Sequence, residues 1–177
     1  MADQSAIIIP IPEVEPIVGP LRVIYDLSAK LGVPAHVTLL YPFYPAHTVN
    51  DEIETLRKVC ASIESFSFLF REVRRFPKTA YLYPDKSESF AQITKTLAEN
   101  WRGYEPYGGN YATFIPHLTF ADQVDSEIID NVEEIVQPQL PIMCAARELW
   151  LIASDHAGMW STKAVFSLPK KKGSSLK

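Results

Sequence analysis

The sequence predicts an α+β fold, bilobal and pseudo-two-fold, with largely antiparallel sheets, flanking helices and a central cleft. Three observations carry that expectation. Strand-like and helix-like segments follow one another in mixed order rather than in a steady βαβ rhythm, which favours antiparallel pairing. A strand followed by a helix occurs at 36–64 and again at 115–136, as after a duplication. The strands that open these stretches carry nearly the same string, His36-Val37-Thr38-Leu39 and His117-Leu118-Thr119-Phe120, with their histidines 81 residues apart. Two lobes related by an approximate two-fold axis would bring the polar faces of these strands together.

The elements follow in order. Ser5 to Ile11 reads as a first strand. Val14, Ile17, Val18, Leu21, Ile24 and Tyr25 keep helical spacing. Pro16 and Pro20 interrupt that stretch, and an interior proline removes a helix bond. The expected helix therefore runs from Pro20 to Lys30, after an irregular lead-in, and ends at Gly32. The first motif strand spans His36 to Phe43. Thr48 or Asn50 caps a helix from Asp51 to Glu64, with Ile53, Leu56, Cys60 and Ile63 on one face.

Phe66–Arg75 and Thr79–Tyr83 read as strands joined by a turn at Pro77. Ser87 caps a helix to Trp101, striped by Phe90, Ile93 and Leu97. A loop rich in Gly and Tyr, Gly103 to Tyr111, leads to the second motif strand, Phe114–Ala121. Ser126 caps a helix to Val136. Two last strands, Ile142–Ser154 and Trp160–Leu168, form a hairpin. Residues 1–169 read as a single domain. Residues 170–177 form a lysine-containing tail without apolar period, expected to be disordered.

A chain of 177 residues suffices for one core and is short for two. Its 47% apolar and 21% charged content is that of an ordinary globular protein. The run Ala6-Ile7-Ile8-Ile9 is far too short to span a bilayer and lacks the basic flank of a signal peptide. No membrane partner is expected, and a cytoplasmic location is. Cys60 and Cys144 sit in apolar patterns without metal-ligand spacing, as small core residues. A net charge of −4 argues against coating long nucleic acid by general electrostatics.

Within each motif, residues two apart on a strand share a face. His36 with Thr38, and His117 with Thr119, form polar fronts, while Val37, Leu39, Leu118 and Phe120 form apolar backs. Four histidines and nine threonines placed at random give about 0.2 His-x-Thr pairs, so two pairs in apolar strand context are informative. Two imidazoles facing one another across a cleft are suited to moving protons around a phosphate. His47 and His156 fall in loops and add no zinc-like spacing, so no metal is expected.

Pro34-Ala35-His36-Val37-Thr38-Leu39-Leu40-Tyr41-Pro42-Phe43, with Ile115-Pro116-His117-Leu118-Thr119-Phe120 downstream, resembles the two-histidine phosphoesterase superfamily. The likeness is greatest to its 2'-5' RNA ligase-like, cyclic phosphodiesterase branch. Tyr25-Asp26, Gly32-Val33 and Ala80-Tyr81-Leu82-Tyr83-Pro84 add to the resemblance, which covers residues 5 to 168. It implies a bilobal α+β fold with a central cleft. It also implies RNA-processing hydrolase chemistry, independent of metal and cofactor, on cyclic or 2'-5' phosphodiesters of nucleotides or RNA ends. The expected partner is such a small nucleotide or RNA-end substrate, and the expected state is a monomer. The alternative is a non-catalytic nucleotide- or RNA-end-binding module on the same fold.

An imidazole has an ordinary pKa near 6.5. One of the pair, neutral, can take a proton from attacking water while the other gives one to the departing oxygen. Thr38 and Thr119 can donate to the non-bridging phosphate oxygens. For a base-binding surface, strand parity turns Tyr41 and Phe43 toward the core unless a bulge near Pro42 shifts the register. Tyr81 and Trp160 are alternative stacking platforms. Arg74 and Arg75, of opposite parity, are candidate phosphate contacts, with at most one facing the site.

Overall fold

In chain order, the computed structural model forms β1 (Ser5–Pro10), α1 (Glu15–Tyr25), α2 (Leu27–Lys30), β2 (His36–Leu40), α3 (Ile53–Cys60), β3 (Phe66–Phe76) and β4 (Thr79–Pro84). It continues with α4 (Ser87–Asn100), β5 (Leu118–Asp122), α5 (Ser126–Val136), β6 (Ile142–Ala146), β7 (Glu148–Ser154) and β8 (Trp160–Ser167). The structure describes residues 3–104, 106–109 and 113–170. The expected tail beyond Lys170 and part of the loop rich in Gly and Tyr lie outside them.

The strands make two four-stranded sheets, in the orders β2-β1-β7-β8 and β5-β4-β3-β6. Every pairing is antiparallel. The β1–β2 pair holds in one sheet the place that β4–β5 holds in the other, as the repeated strand-helix order predicts. Both motif strands, β2 and β5, are therefore edge strands, and the two pack against one another.

One apolar cluster joins both sheets. It includes Ile7, Ile9, Val37 and Leu39 from the first sheet and Phe68, Phe70, Leu118 and Phe120 from the second. Val18 and Leu21 of α1, Leu56 of α3, Phe90 of α4 and Val132 of α5 complete it from the helices. Cys60 and Cys144 are buried there as unpaired thiols, both pushed up to about 12 by burial.

Several boundaries differ from the sequence expectation, for local reasons. The helix expected at Pro20–Lys30 is two helices. Pro16 falls in the first turn of α1, where its missing N–H has no partner to lose, so the helix starts at Glu15. The break comes at Asp26, whose Oδ1 accepts from the Ser28 N–H at 2.9 Å and caps α2. The helix expected at Asp51–Glu64 is shorter, with a 3-10 turn at Val49–Glu52 ahead of α3. The motif strands are also shorter, and β5 begins after His117. The single strand expected at Ile142–Ser154 changes sheets at Arg147, so β6 joins the second sheet and β7 the first. The charged residues Arg147 and Glu148, which interrupt the apolar run at that point, are the sequence mark of the switch.

Candidate active site

Both motif strands carry a β-bulge at the same place. In β2, Thr38 stands opposite Ile8 but Leu40 stands opposite Ile7, so Leu39 is an extra residue. In β5, Thr119 stands opposite Tyr81 but Ala121 stands opposite Ala80, so Phe120 is extra. Simple alternation fails beyond these points. Leu39 and Leu40 are both buried, as are Phe120 and Ala121. The fifth residue after each histidine, Tyr41 in one half and Asp122 in the other, is thereby turned toward the side of the histidines. The expected inward orientation of Tyr41 is corrected, because the shift occurs at Leu39, within the strand.

The two histidines are held alike. Nδ1 of His36 donates to the Pro34 carbonyl at 2.7 Å, and Nδ1 of His117 donates to the Ile115 carbonyl at 2.7 Å. A carbonyl only accepts, so each neutral ring keeps its proton on Nδ1 and exchanges protons through Nε2. The Thr38 hydroxyl lies 3.0 Å from His36 Nε2. Phe76 and Tyr81 hold the His117 ring edge-on, with centroids 5.2 and 5.4 Å away.

His36, Thr38, His117 and Thr119 line one cleft of about 980 Å³, together with Tyr41, Phe76, Thr79, Asp122 and Gln123. That volume suits a nucleotide-sized ligand. No Lys or Arg stands among the described residues of the lining. Burial pushes the His36 pKa down to about 4, against the Pro34 carbonyl, with the Arg22 charge adding to the decrease. Burial also lowers that of His117, opposed by the Ile115 carbonyl and the Asp122 charge. Both rings are neutral at pH 7.

Helix α1 sets the approach to His36. Arg22, 2% exposed, donates through Nε to Asp26 Oδ2 at 2.9 Å and through Nη2 to the Val33 carbonyl at 3.1 Å. Glu15 Oε1 accepts from the Ala35 N–H at 2.6 Å. These bonds fix both sides of the segment that presents His36. Sequence reasoning missed Arg22 and Glu15. The available signal was an Arg and an Asp one helical turn apart within an apolar stripe.

The other candidates are placed as follows. Phe43 is 4% exposed and packs on Tyr44, Trp101 and Tyr104, so it is a core residue and not a base platform. Tyr81 is buried and stacked on Phe76, centroids 4.3 Å apart. It supports the cleft wall without lining it. Trp160 packs on Tyr41 at 6.2 Å and also stands outside the lining. Arg74 donates to Glu72, lies 3.5 Å over the Tyr83 ring and stands outside the lining, while Arg75 pairs with Asp130 and Glu133. His47 pairs with Asp3. Among the described residues no three His, Cys, Asp or Glu gather as a metal site, and no helix is long and apolar enough to cross a membrane. Phe76, Thr79 and Gln123 are cleft residues that the sequence reading did not single out.

The family model of the 2'-5' RNA ligase superfamily matches residues 10–158. No curated protein matches the chain. Among solved structures, E. coli LigT complexed with NADP+ is similar with a TM-score of 0.59 and 16% identity, over 96% of this chain and 99% of that one. LigT complexed with 3'-AMP gives 0.56 and 15%, over 95% and 99%. The TT0787 protein of Thermus thermophilus gives 0.61 and 15%, over 95% and 99%. At such identities the likeness is one of fold.

Proposed function

The chain belongs to the 2'-5' RNA ligase superfamily, and from that premise we propose that it is a phosphoesterase acting on nucleotides or RNA ends. Its bonds are cyclic or 2'-5' phosphodiesters, which it hydrolyses or, in reverse, ligates. The observation that carries this reading is the matched pair of imidazoles. Each is tethered through Nδ1 to the carbonyl two residues before it, and both line one cleft.

Water attacks phosphorus as the neutral Nε2 of one histidine takes its proton. The other histidine, which takes up a proton at Nε2 when the anionic phosphate binds, gives that proton to the ribose oxygen as its P–O bond breaks. The products are a phosphate monoester and a free hydroxyl, and the two rings have exchanged protonation states. Thr38 and Thr119 donate to the non-bridging oxygens, where charge builds in the transition state. Both protons are carried by side chains, so the cycle calls for no metal.

The test is a panel of 2',3'-cyclic and 2'-5' phosphodiesters assayed in the presence of chelator, with identification of the monoester released. Turnover of at least one member that survives chelation supports the reading. Saturable nucleotide binding without turnover at any pH would leave only a binding module.

A further inference from the structure

The two ends of the cleft are shaped by the same bulge and finished with different chemistry. At one end the inward residue is Tyr41. Its hydroxyl donates to Gln4 Oε1 at 2.8 Å and its ring rests on Trp160. At the other end it is Asp122, with Oδ1 accepting from the Thr79 hydroxyl at 2.7 Å. A carboxylate offers about four lone-pair sites, so this bond leaves most of its accepting capacity unused.

An acidic group in a cleft for an anionic phosphate weakens binding unless the ligand answers it with donors. No described Lys or Arg in the lining offsets it. Gln123 follows directly and also lines the cleft, with φ at 55°. That left-handed conformation is uncommon for a residue other than glycine and tends to mark functional sites. Phe76 stands opposite Thr79 on β3 and lines the same end, with Tyr81 stacked on it.

We propose that this end of the cleft reads the substrate's nucleobase and selects guanine, with Asp122 as the specificity-determining residue. The inference rests on the phosphoesterase reading of the same cleft. Guanine alone among the common bases presents two adjacent donors, N1–H and the exocyclic amine, which match the two oxygens of a carboxylate. Adenine and cytosine pair one amine with an acceptor nitrogen. Uracil sets its single N–H between two carbonyls, which a carboxylate repels. The Thr79 hydroxyl fixes the carboxylate plane, Gln123 supplies an amide beside it, and Phe76 offers an aromatic face for the purine.

Calorimetric titration of the 3'-monophosphates of guanosine, inosine and uridine into the wild-type protein tests this. Guanosine is expected to bind about tenfold or more tightly than uridine, with inosine, which lacks the amine, between them. Asp122→Asn should lose most of the guanosine advantage while binding of uridine holds or improves. If that variant fails to melt cooperatively, Asp122→Ser gives the same readout. Equal affinity for guanosine and uridine in the wild type overturns the proposal and leaves the nucleotide reading standing. A folded Asp122 variant that keeps the full ratio also overturns it. No binding of any of the three nucleotides defeats the nucleotide reading as well.

Discussion

Leu39 and Phe120 are counterparts. Each is the extra residue of a bulge placed three positions after a histidine, and each is fully buried. The matched irregularity aligns the two halves more closely than their strand lengths do. It also decides which later side chains reach the cleft.

Phe120 fills the core with a large ring from a position that the register leaves unpaired. Phe120→Ala is expected to cost about 3–5 kcal/mol, the usual range for emptying a buried aromatic site. Urea unfolding of the variant checks this. A loss below about 1 kcal/mol would mean that the bulge collapses around the gap.

In the proposed mechanism each histidine is one of two proton-transfer groups. His36→Ala and His117→Ala should each lose about 10²–10⁴-fold in turnover with an unchanged circular dichroism spectrum. Near wild-type rates in both variants would remove these residues from the reaction.

The cleft offers a phosphate no described lysine or arginine, and both imidazoles are neutral at pH 7. Binding a nucleotide monophosphate should therefore draw in a proton, about one per site. Titration calorimetry at pH 7 in buffers of different ionisation enthalpy measures that number directly. An observed enthalpy independent of buffer would contradict it.

His36 also makes stability depend on pH. Its folded pKa, about 4, lies below the ordinary value of 6.5. As pH falls through 6.5 the unfolded chain takes up this proton while the folded one does not. Stability is then full above pH 6.5, declines down to pH 4, and loses up to about 3 kcal/mol across that window. His36→Asn should flatten that decline. Parallel decline in the two proteins between pH 7 and 4.5 would show that His36 is not its source.

Arg22 and Asp26 form a buried pair, and removing one partner leaves the other charge stranded. Arg22→Leu is expected to cost about 3–5 kcal/mol. It should also lower activity by freeing the 33–35 segment that presents His36. Thermal melting and the rate assay report the two effects separately.

Much of this was legible in the chain. His-x-Thr at two sites, apolar backs and the repeated order were enough for the α+β class, the duplicated plan and the four residues that share the cleft. What escaped notice depends on register and long-range contact. Strict alternation put Tyr41 on the wrong face because a bulge leaves no mark in side-chain type. Phe43, which parity turned toward the core and which only a bulge would have carried to the cleft, stays buried even though the bulge is there. Arg22 was passed over, since only the fold shows what it bonds to. The switch of sheets at Arg147 was missed because two charged residues, Arg147 and Glu148, also fit on the solvent side of one continuous strand.

β3 comes from the first half of the chain yet lies in the second sheet, while β7 and β8 come from the second half yet complete the first. The halves are thus laced through one another and cannot swing apart like jaws. The shape of the cleft in such a molecule is set as the strands interleave during folding. An ancestor carrying a single copy of the unit could have buried the same surfaces only by exchanging strands with a twin.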